Sequence, residues 1–198
     1  IFISDLSLPN APAKLIQDIL AKGIQINHLV NNARSLKNLN VGDNGFSLRD
    51  DMAREYLLDV IVPYELAMNL YLLQKDSLQT VTNIGSQYGN VAFNPYLYQD
   101  SSTEPPIQYG LAKSAVHHLT KELAVRFSKD NIRVNCVAYG GVEGRVGNDF
   151  KKRYAKLVPM GRMLREEEII GPLKFLLTSS SSSVTGHILA ADGGWTLW

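Results

Sequence analysis

The sequence predicts a doubly wound α/β fold on a parallel sheet, and three observations carry the prediction. Short segments rich in β-branched residues alternate with longer helical patterns, the mark of parallel strands joined by crossover helices. The chain has 198 residues of which 45% are hydrophobic, enough for one substantial core, and its length favours one domain over two. Two loop-rich stretches each follow a strand pattern, and the ligand crevice of an open α/β sheet lies beyond the carboxyl ends of its strands.

In chain order, residues 1–4 read as a strand, and the chain opens inside it with Ile1 rather than Met. The natural N-terminus is therefore expected to be absent. Residues 13–22 follow as a helix, with Pro12 at its head and Gly23 just past its end. Strands are expected at residues 28–31, 80–85, 132–138 and 187–191. Helices are expected at residues 48–74, 108–128 and 166–177. The stretches 89–107, with Pro95, Pro105 and Pro106, and 140–165, with three early glycines, are the expected substrate walls. The serine run Ser179 to Ser183 reads as a helix-terminating loop, because a strand pattern resumes directly after it.

Charge and composition exclude several functions. Twenty basic and nineteen acidic residues, net +1, are mixed along the chain, so no footprint of a nucleic-acid or membrane-surface binder is present. Lys151-Lys-Arg153 reads as a solvated helix face. The single Cys136 lies in an alternating strand pattern and reads as a small buried hydrophobe. No uninterrupted apolar run approaches the roughly 20 residues of a membrane span, and no signal segment opens the chain. The expected compartment is the cytoplasm.

Tyr109 and Lys113 are four residues apart in a helical pattern, so phenol and ammonium address one small volume. Spacing alone does not single them out. The chain has nine tyrosines, and Tyr71-Leu-Leu-Gln-Lys75 is a second match. Placement separates the two. Ser86 closes a strand and Tyr109 opens the next helix, so a parallel sheet brings them to one edge, whereas Tyr71 lies late in a long helix. A free phenol gives up its proton too reluctantly for exchange near neutral pH, and an adjacent ammonium and a cationic cofactor ring favour the phenolate. Tyr109 is thus the expected general acid or base, tuned by Lys113, with Ser86 donating to the substrate oxygen. None of the three can supply hydride, so a nicotinamide cofactor is implied.

Ser86 with Tyr109-x-x-x-Lys113 resembles the active site of the short-chain dehydrogenases/reductases, and further motifs follow in the family's order. Asp5-Leu6 resembles the acidic position at the adenine ring. Asn31-Asn-Ala-Arg34 resembles the family's Asn-Asn-Ala-Gly beside the cofactor. Asn135 resembles the strand before the nicotinamide loop, Gly140-Gly-Val142 that loop, and Gly186 to Trp195 the final strand and turn. The resemblance implies one Rossmann-like domain over residues 1–198, lacking the first strands and helices. It implies NAD or NADP as cofactor, held by Asp5, Leu6, Asn32, Ala33, Tyr109, Lys113, Gly140 and Val142, and hydride exchange with a carbonyl or alcohol. The family's subunit interface is formed by the helices matching 48–74 and 108–128, so a homodimer or homotetramer is expected.

Departures from the pattern matter as much. Asp59 stands 27 residues before Ser86, where the family's helix carries an asparagine that holds a relay water. It reads either as an acceptor from that water or from Lys113, or as a solvated helix residue. Arg34 replaces a glycine and could point to the substrate entrance. Tyr139 replaces a proline, and Gly144 stands where a threonine contacts the carboxamide. The glycine-rich pyrophosphate turn is missing ahead of Asp5, so the chain is expected to be a fragment or incompletely traced. Tyr96, Tyr98, Asp100 and Glu104 suit a polyhydroxylated substrate. The run Ser86-Gln-Tyr-Gly89 with Tyr98 and Pro106 resembles members associated with bacterial surface-sugar and flagellin modification. Two alternatives stay open: an epimerase or dehydratase of nucleotide sugars from the extended branch, against which the chain's end speaks, and a non-catalytic binding protein on the same fold.

Overall fold

The computed structural model describes residues 1–42, 44–99, 104–144 and 146–198 and contains the expected parallel sheet. Its strands are β1 His28–Asn31, β2 Thr80–Ser86, β3 Arg133–Tyr139 and β4 Ile188–Ala191, hydrogen-bonded in the order β1-β2-β3-β4. Asn83 of β2 is level with Asn31 of β1 and Cys136 of β3, while Ser86 is level with Tyr139 and Tyr139 with Ala191. The carboxyl ends of β2, β3 and β4 therefore form one edge.

The helices are α1 Ala11–Leu20, α2 Arg49–Tyr56, α3 Val62–Gln74, α4 Ile107–Phe127, α5 Asn148–Leu157 and α6 Ile170–Leu177. Pro12 sits in the first turn of α1, and Gly23 beyond its end takes a left-handed φ of 71°. Side-chain alternation along β3 divides the core into two layers. Val134 and Cys136 face α4, in clusters with Leu123, Ala112 and Val116, whereas Val137 and Tyr139 pack with Leu176 of α6. Helices thus cover both faces, as a doubly wound sheet requires.

The expected helix at residues 48–74 is continuous but not regular, because α2 and α3 are joined by a π turn at Leu57–Ile61. One extra residue in that turn rotates the side chains that follow, and such turns cluster at functional sites. Arg49–Gln74 is long and apolar enough to cross a membrane, yet Val62, Leu66, Ala67 and Leu70 lie in the core with Ile16 of α1. It is a core helix.

Three expectations are corrected. Residues 1–4 form no strand, and Ile1 and Ile3 are exposed: a strand persists only where a neighbour pairs its backbone, and among the described residues β1 is the sheet's edge with nothing beside it. Within 140–165 the chain forms α5, whose Phe150, Tyr154 and Leu157 repeat at helical spacing and pack into a cluster with Trp195. Residues 166–169 form a short 3₁₀ turn before α6. Two further expectations hold: Cys136 is a buried free thiol pushed up to about 12 by burial, and Ser179–Ser181 is a 3₁₀ turn after α6.

Candidate active site

At the end of β2, alternation sends Asn83 and Gly85 toward α4. Asn31 Nδ2 donates to Asn83 Oδ1 at 2.8 Å, Asn83 Nδ2 to Thr120 Oγ1 at 2.9 Å, and Thr120 Oγ1 to the Val116 carbonyl. This buried polar line fixes β1, β2 and α4 in register. Gly85 is required by close approach: a Cβ there would lie 2.5 Å from His117 Nε2 and 2.6 Å from Cys136 Sγ. Burial holds the His117 imidazole neutral, its pKa lowered to about 4. Ser86 then caps the 3₁₀ turn Gln87–Gly89, its Oγ accepting from Tyr88 N at 3.2 Å.

Tyr109 and Lys113 occupy the first two turns of α4. Lys113 Nζ donates to the Ile84 carbonyl at 3.0 Å and lies 2.9 Å from Asp59 Oδ2, an ion pair outside linear hydrogen-bond geometry. The Arg34 guanidinium lies 4.4 Å from the centroid of the Tyr109 ring and Lys113 Nζ lies 5.7 Å from it. Tyr88 meets the same ring edge-on at 6.4 Å.

Three cavities are lined by Tyr109, and two of them hold the residues expected at the site. The smaller, about 140 Å³, lies toward α4 and is lined by Asn31, Asn83, Asp59 and Lys113 among others. The larger, about 660 Å³, lies toward α6 and is lined by Ser86, Tyr139, Gly140, Val142, Ile169 and Leu173 among others. Asn32, Arg34, Ile84, Gly85 and Tyr109 line both. The roof over the larger one is braced from α5. Tyr154 OH donates to Gln87 Oε1 at 2.9 Å and accepts from Gly141 N at 2.8 Å, with its ring stacked on Trp195. Tyr139 OH donates to the Ile169 carbonyl at 2.6 Å, tying β3 to the head of α6.

Of the residues expected at the site, Ser86, Tyr109, Asn32, Gly140 and Val142 meet in the larger cavity, and Tyr109, Lys113, Asp59, Asn32 and Ala33 in the smaller. Asp59 is buried against Lys113 and is not a solvated helix residue. Asp5 and Leu6 reach neither cavity: the Asp5 carboxylate accepts from Ser7 N and Oγ, and Leu6 packs on the core. Tyr71 and Lys75 both bond Asp130, away from the site. In the substrate loop Tyr96 and Glu104 are exposed, Tyr98 bonds Tyr88 through their hydroxyls at 2.6 Å, and Asp100 lies outside the described residues. Glu55, His117 and Tyr154 belong to the site's surroundings without standing out in the sequence. For Glu55 a signal exists in its spacing of one turn from Asp59.

A family model described as Enoyl-(Acyl carrier protein) reductase matches residues 2–196. The chain belongs to the short-chain dehydrogenase/reductase family. This family member is similar over 98% of its length to a short-chain dehydrogenase from Leptospira borgpetersenii with bound NAD+, at 25% identity and a TM-score of 0.88, covering 74% of that chain. It is 35% identical to post-translational flagellin modification protein A of Campylobacter coli over 63% of this chain and 48% of that protein. It is also 35% identical to galactitol 2-dehydrogenase (L-tagatose-forming) of Cereibacter sphaeroides, over 60% of this chain and 46% of that protein. The chain thus spans about half the length of these curated relatives.

Proposed function

We propose that the protein transfers a hydride between a nicotinamide dinucleotide, NAD or NADP, and a carbonyl or alcohol substrate, with a sugar derivative or polyol as the substrate class. The observation that carries this reading is the position of Tyr109, shared by a large cleft that holds Ser86 and a small polar cavity that holds Lys113 and Asp59. Tyr109 thus stands between the cleft proposed for substrate and the buried Lys113 cation. Similarity to the flagellin-modification protein and to a galactitol dehydrogenase supports the substrate class.

The residues present fit the nicotinamide end of such a cofactor. The larger cavity has the size of a small-molecule site, and Tyr139, Ile169 and Leu173 give it an apolar wall suited to a planar ring. Asn32, Gly140 and Val142 are the residues proposed to hold it there, and Asp5 and Leu6 are the proposed adenine contacts. When bound, the dinucleotide supplies or accepts the hydride. The protein's own residues handle the oxygen and the proton. Ser86 Oγ donates to the substrate oxygen, where negative charge develops during reduction. Tyr109 gives up its proton to that oxygen or takes it back, with the Arg34 and Lys113 cations lying beside its ring.

We assign residues 1–198 to one domain. Exposed Tyr56, Tyr64, Leu72 and Leu73 on α2 and α3, with Leu111 and Val125 on α4, suit a symmetric interface in a homodimer or homotetramer. The buried, unpaired Cys136 thiol fits a reducing compartment such as the cytoplasm.

The test is nicotinamide turnover by the whole protein with polyols and keto sugars, for wild type and Tyr109→Phe. We expect turnover with at least one substrate and a loss of about 10²-fold or more in the variant. Equal turnover by both overturns the assigned mechanism, and cofactor binding without any turnover favours a non-catalytic binding protein.

A further inference from the structure

Arg34 stands three residues beyond the end of β1, whose last residue is pinned by the hydrogen bond from Asn31 Nδ2 to Asn83 Oδ1. The loop therefore leaves the carboxyl edge of the sheet beside Tyr109, and the Arg34 guanidinium lies 4.4 Å from the centroid of the Tyr109 ring. Among the described residues no acid pairs with it. A glycine occupies this position in the family's pattern, so the cation is particular to this chain.

Charge around Tyr109 is one-sided. Among the described residues Arg34 is the one charged residue lining the cavity of about 660 Å³ that holds Ser86. In the cavity of about 140 Å³ it joins Lys113 and Asp59, and those two offset each other at 2.9 Å, so the Arg34 charge is again the one left over. The third cavity at Tyr109, about 450 Å³ toward Phe93 and Leu111, has no charged residue in its described wall. Glu55 is buried and lines none of the three. A lone cation on a cleft with low-dielectric walls focuses an attractive potential on anions. Its contact with the Tyr109 ring is made through charge and leaves the guanidinium donors in their planar fork, which carboxylate and phosphate oxygens fit in pairs.

We propose that the substrate carries an acidic group, a carboxylate or a phosphate, and that Arg34 is the residue that selects it. The proposal rests on the hydride-transfer reading and narrows its substrate class to sugar acids or sugar phosphates. Because the guanidinium touches the Tyr109 ring, the acid sits within a few bonds of the carbon that gains or loses hydride. A flexible polyol offers several near-equivalent hydroxyls to Ser86 and Tyr109. Anchoring its charged end in a two-point contact fixes which of them is presented.

The test compares ligands that share one polyol skeleton and differ in charge: sorbitol, gluconate and sorbitol 6-phosphate. Calorimetric titration of the whole protein reads binding without turnover. Wild type is expected to bind at least one of the two acids several-fold more tightly than sorbitol at low ionic strength, with the preference shrinking as salt is added. Arg34→Gly is expected to lose the preference, and Arg34→Lys, which keeps the charge without the fork, to retain part of it. Preference for either acid supports the proposal, and the tighter ligand identifies the group as carboxylate or phosphate. Equal binding of acid and neutral ligands by wild type overturns it, as does a preference that survives in Arg34→Gly. The titration is then repeated with NADH bound, which cannot react with an alcohol. A preference abolished there assigns Arg34 to the phosphates of the dinucleotide and also overturns the proposal. Turnover of neutral polyols with no preference for acids sinks this proposal and spares the hydride-transfer reading, whereas an Arg34-dependent preference without turnover of any substrate sinks that reading and leaves the anion site standing.

Discussion

Asp59 Oδ2 lies 2.9 Å from Lys113 Nζ, and the two side chains are 1% and 8% exposed. The π turn at Leu57–Ile61 delivers the carboxylate to this point, where a regular helix would aim it elsewhere. Removing one partner of a buried pair leaves the other charge uncompensated. Asp59→Ala is therefore expected to destabilise the protein by about 3 kcal/mol, read as a lower urea midpoint at unchanged slope. A change within experimental error would show that Lys113 finds its compensation elsewhere.

Glu55 and His117 make opposite contributions to stability against pH. The Glu55 carboxyl is raised from 4.5 to about 7, so between those values the native state holds a proton that the unfolded state has lost. Its stabilisation is complete below the unfolded value and disappears as pH rises through about 7. The His117 imidazole is lowered from 6.5 to about 4, so its contribution is present above the unfolded value and is lost as pH falls through about 4. Replacing Glu55 by Gln should remove a fall in unfolding free energy of up to about 3 kcal/mol across its window. Urea unfolding at a series of pH values measures it, and parallel wild-type and variant curves would refute the assignment.

Gly85 has no room for a methyl group. His117 Nε2 and Cys136 Sγ stand 2.5 and 2.6 Å from where the Cβ would be, and both belong to packed elements. Gly85→Ala is expected to cost about 1–3 kcal/mol through overpacking and to displace the adjoining Ser86. Thermal unfolding reads the first effect, and a fall in kcat larger than the rise in KM reads the second.

Arg34 lies over the Tyr109 ring and lines both cavities from an exposed position. An exposed cation–π contact is worth about 0.5–1 kcal/mol, so Arg34→Ala should cost little stability. Its positive charge at the cleft should matter more to substrate. KM is expected to rise several-fold for carboxylate- or phosphate-bearing substrates and to stay nearly constant for neutral polyols. Equal effects on both classes would argue that Arg34 acts through packing alone.

Tyr109, Lys113 and Ser86 are legible in the sequence because their relationship follows from local rules. A four-residue helical spacing, a serine closing a strand and a helix opening after the next loop suffice to bring them together on a parallel sheet. The Tyr71 and Lys75 match fails by the same rules, and their shared bonding to Asp130 gives them another role. Residues 1–4 have the composition of a strand without being one, because composition records the capacity to pair, whereas pairing needs a neighbouring strand. The helix α5 is hidden for the opposite reason. Three early glycines give the whole stretch the look of a loop, although Phe150, Tyr154 and Leu157 keep a helical period.

The amino-acid sequence by itself determined the parallel α/β layout, through periodicity along the chain, and the placing of Ser86 at a strand end and of Tyr109 and Lys113 at a helix start, through spacing, while the family was legible in its motifs. Only the tertiary structure decided what surrounds them. Which side of Tyr109 faces the large cleft, where the π turn aims Asp59, and how Glu55 comes to be buried without a donor depend on elements far apart in sequence. Burial, cavity shape and the energy of a charge are properties of that packing, and no local pattern encodes them.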